Sequence, residues 1–207
     1  MSRPPLDVPR LRRVPRQARS RERLARMLDA AEELLVSEGP GALTTTRVAA
    51  ASGVSVGSLY QYLPDKEAIV EALANRYLAE FEGLMDELAA QAGGPGWEDP
   101  VGRLVDEFAR RYRDRPGYRA LWFGRELTPG LRAADRDNKA ALARGLERTL
   151  RALGVGGELG VAARSGVLIA DALLQEAFRA DPRGDAQLIA EAKRVLRLYL
   201  DDVVARH

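Results

Sequence analysis

Residues 43–67 read LTTTRVAAASGVSVGSLYQYLPDKE, and this stretch decides what kind of protein the chain is. Thr45 or Thr46 can cap a short helix over about 46–52, whose inner face is Val48, Ala49 and Ser52. Gly53 then supplies a turn that tolerates a positive φ, and Val54 offers an apolar plug beneath it. Ser55 can cap a second short helix, over about 56–62, with Leu59 facing inward. Two short helices joined by a tight glycine-containing turn make a helix-turn-helix, whose second helix lies in the DNA major groove with its N-terminal residues at the base edges.

The outward residues suit that task. Val56, Gly57 and Ser58 are small, so the backbone can approach a duplex closely. Gln61 can form a bidentate pair with adenine or a single bond to another base. Tyr60 and Tyr62 can reach phosphates through their hydroxyls. Lys66, in the first turn of the following helix, can clamp a phosphate together with nearby backbone N–H groups.

Upstream, Leu24, Met27, Leu28, Ala31, Leu34 and Leu35 form one apolar stripe on a helix from about Arg16, which Gly39, Pro40 and Gly41 stop. Residues 1–15 carry four prolines and no helical period and read as a disordered basic arm. Residues 1–26 hold nine arginines against two acidic residues, a balance of +7, so the rest of a chain of net charge +2 carries −5. A basic end on a mildly acidic body suits a polyanion at that end alone.

Downstream, Asp65 caps a long helix with an apolar stripe of Ile69, Leu73, Tyr77, Phe81, Leu84 and Leu88, running to about residue 91. Helices follow at about 100–114, from Pro116, from Pro129 to about Leu153, and at 158–180 and 185–205, separated by glycine and proline clusters. No segment alternates as a strand does. The expectation is an all-α chain of about nine helices. Its parts are the arm at 1–15, a helix-turn-helix domain at 16–66 and a helical regulatory and dimerisation domain at 67–207.

Several function classes fall away. The chain of 207 residues has no cysteine, which removes disulfides, thiolate metal sites and a cysteine nucleophile. Its one histidine is His207, the last residue, a poor position for a general base or metal ligand. There is no H-E-x-x-H, no P-loop and no G-x-G-x-x-G after a strand, so no enzyme, cofactor or metal is expected. No apolar run approaches the roughly 20 residues that span a bilayer, and the charged N-terminus is unlike a secretory signal, which fits a cytoplasmic protein without membrane partners. A helical protein-interaction module stays open as the alternative.

Two sets of candidates lie in the second half. Ala163, Gly166, Val167, Ala170 and Leu174 form a small-residue stripe, and Leu188, Val195, Leu196 and Tyr199 recur at helical spacing on the last helix. Two such hairpins, one per subunit, can pack as a four-helix dimer interface. Phe108, Tyr112, Trp122 and Phe123 concentrate aromatic area, with Arg125, Asp171 and Gln175 as polar points, so they are candidate lining for a small-molecule pocket. Aromatic residues at this spacing serve a plain core equally well, and Asp171 can instead make an ion pair across a dimer.

The run Thr45-Thr46-Arg47-Val48-Ala49, then Gly53-Val54-Ser55-x-Gly57-x-Leu59-Tyr60-x-Tyr62, then Lys66-Glu67, resembles the N-terminal signature of TetR-family regulators across about 50 residues. One departure is Leu63, where the family usually has phenylalanine. The resemblance implies phosphate contacts at Thr45, Thr46 and Arg47, base reading through Val56, Gly57, Ser58 and Gln61 on the helix that Ser55 opens, aromatic contacts from Tyr60 and Tyr62, and a phosphate at Lys66. It also implies a homodimer on double-stranded DNA, repression or activation of transcription, and control by a small-molecule effector with the fourth helix as lever.

Overall fold

The computed structural model describes residues 18–123 and 128–206. Among them are nine α-helices, one 3-10 turn and no strand. In chain order these are α1 (Ala18–Glu38), the 3-10 turn (Pro40–Ala42), α2 (Thr45–Ala51), α3 (Val56–Tyr60), α4 (Lys66–Gln91), α5 (Pro100–Asp114), α6 (Pro116–Trp122), α7 (Pro129–Ala152), α8 (Gly160–Ala180) and α9 (Ala186–Arg206). The expected basic arm at 1–15, along with Arg125 and His207, lies outside the described residues. No helix of the described residues is long and apolar enough to cross a membrane.

Short polar side chains start the helices where orphaned N–H groups need acceptors. Asp65 Oδ1 accepts from Ala68 N at 2.7 Å, Asp99 Oδ1 from Gly102 N at 3.0 Å, and Thr128 Oγ1 from Leu131 N at 3.2 Å. Pro100 and Pro129 follow two of these caps, at a position where the missing N–H has no helical partner to lose.

The chain divides into two compact units, and the division differs from the expected boundary at 66/67. The first unit takes residues 1–77 together with 117–134; the second takes 78–116 and 135–207. The physical reason is packing by the first three turns of α4 against α1. Ile69 and Leu73 of α4 are buried, as are Leu24, Met27, Leu28 and Leu35 of α1. Arg76 donates to Asp29 at 2.6 Å, to Glu32 and to the Leu28 carbonyl. Tyr77 is buried, and burial, reinforced by the charge of Glu32, pushes its phenol far above the ordinary value.

Tyr77 also explains why residues 117–134 join this unit. Tyr118 meets its ring edge-on at 6.2 Å and stacks on Trp122 at 4.3 Å. Gly117 comes so close that a Cβ there would lie 2.0 Å from the Tyr77 hydroxyl oxygen, and glycine alone fits.

In the second unit α8 and α9 pair as an antiparallel hairpin, and α5 packs on both. Small residues make this possible: Ala163, Ala177 and Ala192 are fully buried, and a Cβ on Gly166 would sit 3.1 Å from Leu146 of α7. The stripe expected at a dimer interface is therefore spent largely inside the chain. Ala163, Gly166, Val167, Leu174 and Leu196 are buried in the unit's own core, while Ala170, Leu188, Val195 and Tyr199 are half-buried. The large apolar residues of this hairpin that are exposed are Val161, Leu168, Leu198 and Val204.

Candidate nucleic-acid interface

The helix-turn-helix is built by local hydrogen bonds. Thr44, not Thr45 or Thr46, caps α2: its hydroxyl accepts from Arg47 N at 3.2 Å, which leaves Thr45 and Thr46 as the first two helical residues. Three threonines in a row hid which one bends out of the helix. At the other end Ser52 donates to the Val48 carbonyl at 2.7 Å, Gly53 takes φ 66°, and Val54 N donates to Ala49 O at 3.1 Å. Glycine is the residue that accepts this left-handed geometry without strain. Ser55 then caps α3, accepting from Ser58 N at 3.2 Å and donating to Ser58 Oγ at 2.9 Å. Val48, Ala49 and Leu59 are buried, so the two helices share one apolar seam, and Val54 is half-buried beneath the turn.

What remains outside is a short, low-relief surface. Ser55, Val56, Gly57, Tyr60 and Gln61 are exposed and Ser58 is half-buried. A Cβ on Gly57 would meet no atom within 4 Å, so the backbone of α3 is bare there. Thr45 Oγ1 lies 3.2 Å from the Tyr60 hydroxyl, tying the start of α2 to the end of α3 and setting two hydroxyls side by side. Thr46 and Lys66 are exposed, Lys66 in the first turn of α4.

Two of the expected contact residues, Tyr62 and Arg47, have surroundings that differ from the rest of the set. Tyr62 is 3% exposed against 41% for Tyr60. Helix α3 ends at Tyr60 rather than at 62, so the chain turns and carries Tyr62 and Leu63 into the core; Tyr62 is a packing residue, not a surface aromatic. Arg47 spends its guanidinium on Glu38 at 2.5 Å, a hydrogen bond that also holds it above the ordinary arginine value. The pair links α2 to the end of α1, with both side chains nearly half exposed.

The second half holds the candidate pocket residues in two places. Phe108, Tyr112, Asp171 and Gln175 belong to the second unit, whereas Trp122 and Phe123 belong to the first. Within the second unit, Gln175 Nε2 donates to Asp171 Oδ1 at 2.8 Å and the Tyr112 hydroxyl lies 3.5 Å from the same oxygen. Phe81 stacks on Phe108 at 5.7 Å and lies against Tyr112 at 5.3 Å; Tyr112 stacks on Phe178 at 5.2 Å. Asp135 and Lys139 of α7 join this group, with Lys139 Nζ 2.7 Å from Asp135 and 2.8 Å from Asp171. Sequence reasoning did not single them out, although their i,i+4 spacing is the one signal that could have. Among the described residues no group of His, Cys, Asp and Glu could hold a metal ion.

Comparison with known proteins matches both halves. Residues 27–73 match the model of the bacterial regulatory proteins of the tetR family, and residues 95–204 that of the tetracyclin repressor-like C-terminal domain. A TetR-family transcriptional regulator from Streptomyces coelicolor is 34% identical, with a TM-score of 0.69 over 89% of this chain and 98% of that one. A TetR-family regulator from Mesorhizobium loti shares the fold, with a TM-score of 0.70 over 90% of this chain and 98% of that one, at 16% identity. The class D tetracycline repressor of Escherichia coli is 33% identical over 91 residues, 42% of this chain; the match spans 40% of that relative's length. With a domain model covering more than half its length behind a capped helix-turn-helix, the chain belongs to the TetR family of DNA-binding transcriptional regulators.

Proposed function

We propose that this protein is a homodimeric, ligand-responsive repressor that binds an inverted-repeat operator. The observation that carries the DNA-reading part is the bare, capped surface of α3, where Val56, Gly57 and Gln61 face outward with open space over Gly57. That relief suits base edges in a major groove. Ser58 adds a hydroxyl to the base-facing set, while Thr45, Thr46, Tyr60 and Lys66 surround it as phosphate contacts. Ser55 acts through its cap, which fixes the N-terminus of α3. The arginines of residues 1–15 are assigned to the adjacent minor groove.

Dimerisation follows from the outward face of α8 and α9. Val161 is 80% exposed, and Leu168 lies two turns on along the same face of α8. Leu198 adds exposed apolar area from α9. A second copy of the hairpin covers such residues and makes a two-fold interface. A two-fold dimer reads an inverted repeat. The tetracycline repressors that the chain resembles carry repression in their names, which supports a repressor over an activator. An effector that prefers a conformation ill-suited to the operator lowers occupancy by population shift, and operator DNA weakens the effector by the same factor. Protein and operator meet in the cytoplasm, and no catalysis is invoked.

Selection of bound sequences from a random duplex library at moderate salt tests the DNA-reading and two-fold parts of this proposal. One inverted repeat is the expected outcome. Recovery of sequence-independent, salt-sensitive binding alone removes the helix-turn-helix as a reader and leaves only the basic end of the chain as a nucleic-acid feature.

A further inference from the structure

The charges of α8 and α9 are almost all paired within the chain. Asp171 bonds Lys139 of α7, Lys193 bonds Asp106 of α5, and Arg197 bonds Asp99, the cap of α5. Three further pairs join residues three or four places apart on their own helix. Of the charged residues on the two helices, Arg164 of α8 and Asp201 of α9 are the two that make no ion pair among the described residues. Both are exposed. The Asp99 hydrogen bond chiefly holds Arg197 above the ordinary arginine value, and the charge of Asp201 contributes least to that shift.

Position makes these two charges a matched set. The turn between the helices brings Phe178 and Ile189 together: a Cβ on Gly184 would lie 2.7 Å from Phe178 and 2.9 Å from Ile189. Counting equal numbers of residues along both helices from that contact, Arg164 and Asp201 stand at one level of the hairpin, to within about two residues or about 3 Å. Leu168 and Leu198 stand level with each other one turn nearer the loop, and Val161 and Val204 one turn farther from it. All four are exposed, from 46% at Leu168 to 80% at Val161. On its own helix each charge lies within about 60° of rotation of both apolar neighbours. The exposed strip therefore runs apolar, charged, apolar, with the cation on one helix and the anion on the other.

A second copy that covers such a strip must treat the middle layer differently from the outer two. A charge enclosed between apolar side chains without a counter-ion is costly. A two-fold interface brings residue i to residue j and j to i, so one kind of contact serves both charges of both copies. With the axis at the charged layer, each apolar pair faces an apolar pair of the other copy. Only the crossed arrangement of charges then avoids setting like against like. We propose that Arg164 of each subunit pairs with the partner's Asp201, and that these two reciprocal ion pairs fix the register of the homodimer and exclude chains with another charge pattern there. The proposal rests on the reading of the protein as a homodimer through α8 and α9 and names the contact that selects its partner.

The test exchanges the charges in the full-length protein. Arg164→Glu sets two carboxylates together at both contacts, and Asp201→Arg sets two guanidinium groups together. Dimer dissociation is read by sedimentation velocity over a concentration series, and mixed dimers by native mass spectrometry. Each single variant is expected to dimerise at least about tenfold more weakly than wild type. The double variant, Arg164→Glu with Asp201→Arg, reverses both partners and should return to within about threefold of the wild-type Kd. An equal mixture of the two single variants should form heterodimers in preference to either homodimer, because one then offers two anions and the other two cations. That recovery also shows each single variant to be folded. Wild-type affinity in either single variant, or weakened single variants that neither the double variant nor the mixture restores, overturns the proposal. If both single variants dimerise normally while Leu168→Asp with Leu198→Asp gives monomers, the apolar face stands and the ion pair alone fails. If that apolar variant also dimerises normally, or wild type is itself a monomer, the homodimer reading through α8 and α9 fails as well.

Discussion

Gly57 and Tyr62 divide the helix-turn-helix into what faces DNA and what holds the fold. Because a side chain at 57 would project into open space, Gly57→Leu should leave thermal stability unchanged or raise it by about 0.5 kcal/mol through helix propensity. It should weaken operator binding by about tenfold, equivalent to 1.4 kcal/mol, since the new side chain occupies the space that a base edge needs. Calorimetric unfolding and fluorescence anisotropy separate the two effects. The tyrosines should show the reverse contrast. Tyr62→Ala opens a cavity in the core and should cost about 3–5 kcal/mol of stability. Tyr60→Ala, at an exposed position, should change stability by less than about 0.5 kcal/mol while weakening operator binding. Denaturant titration with both variants checks this, and a large stability loss at Tyr60 would contradict the assignment. Family resemblance placed both aromatics on the surface; where α3 stops is what separates them, and a two-residue difference in helix length reverses the direction of a side chain.

At the scale of elements, boundaries were legible because caps announce them. Asp65, Asp99 and Thr128 each precede a helix and each accept the expected N–H, and the Pro-x pairs at 100 and 129 mark the first turns. Asp99 does a second job that no local pattern reveals: it bonds Arg197 of α9 at 2.6 Å, fastening α5 to the last helix. The Arg197 hydrogen bond and then the Gly102 N–H hold its carboxyl below the ordinary carboxylate range. Asp99→Ala should cost about 1 kcal/mol from the lost cap, or about 3 °C in Tm, with little more from an ion pair that water screens. A carboxyl lowered by folding stabilises above its unfolded value of about 4 and loses that contribution as pH falls through the folded value. The difference in Tm between wild type and Asp99→Ala should therefore be flat from pH 7 to 5 and shrink below about pH 4. The Lys139–Asp171 contact shows where sequence runs out: its partners come from separate helices, and only the packing of α7 on α8 brings them within reach.

For the molecule as a whole, the small-residue stripe of α8 illustrates the same boundary. Its pattern says that helices approach closely but not whether the partner helix is in the same chain, and here most of the stripe packs within the chain. The proposed dimer consequently depends on the outward residues. Leu168→Asp combined with Leu198→Asp should give monomers by sedimentation velocity at micromolar concentration, with helix content retained and operator binding reduced by at least tenfold; a dimer of normal affinity would refute this placement of the interface. The make-up of the first unit carries one more consequence. Its second segment, 117–134, is encoded 40 residues after the first segment ends at 77, so the unit is discontinuous along the gene. During synthesis the DNA-reading unit remains incomplete until residue 134 has left the ribosome, when Gly117 and Tyr118 can close over Tyr77. A chimera that exchanges DNA specificity by swapping only the N-terminal 77 residues would pair Tyr77 with a foreign cover; a graft that transplants 117–134 with it keeps the unit whole.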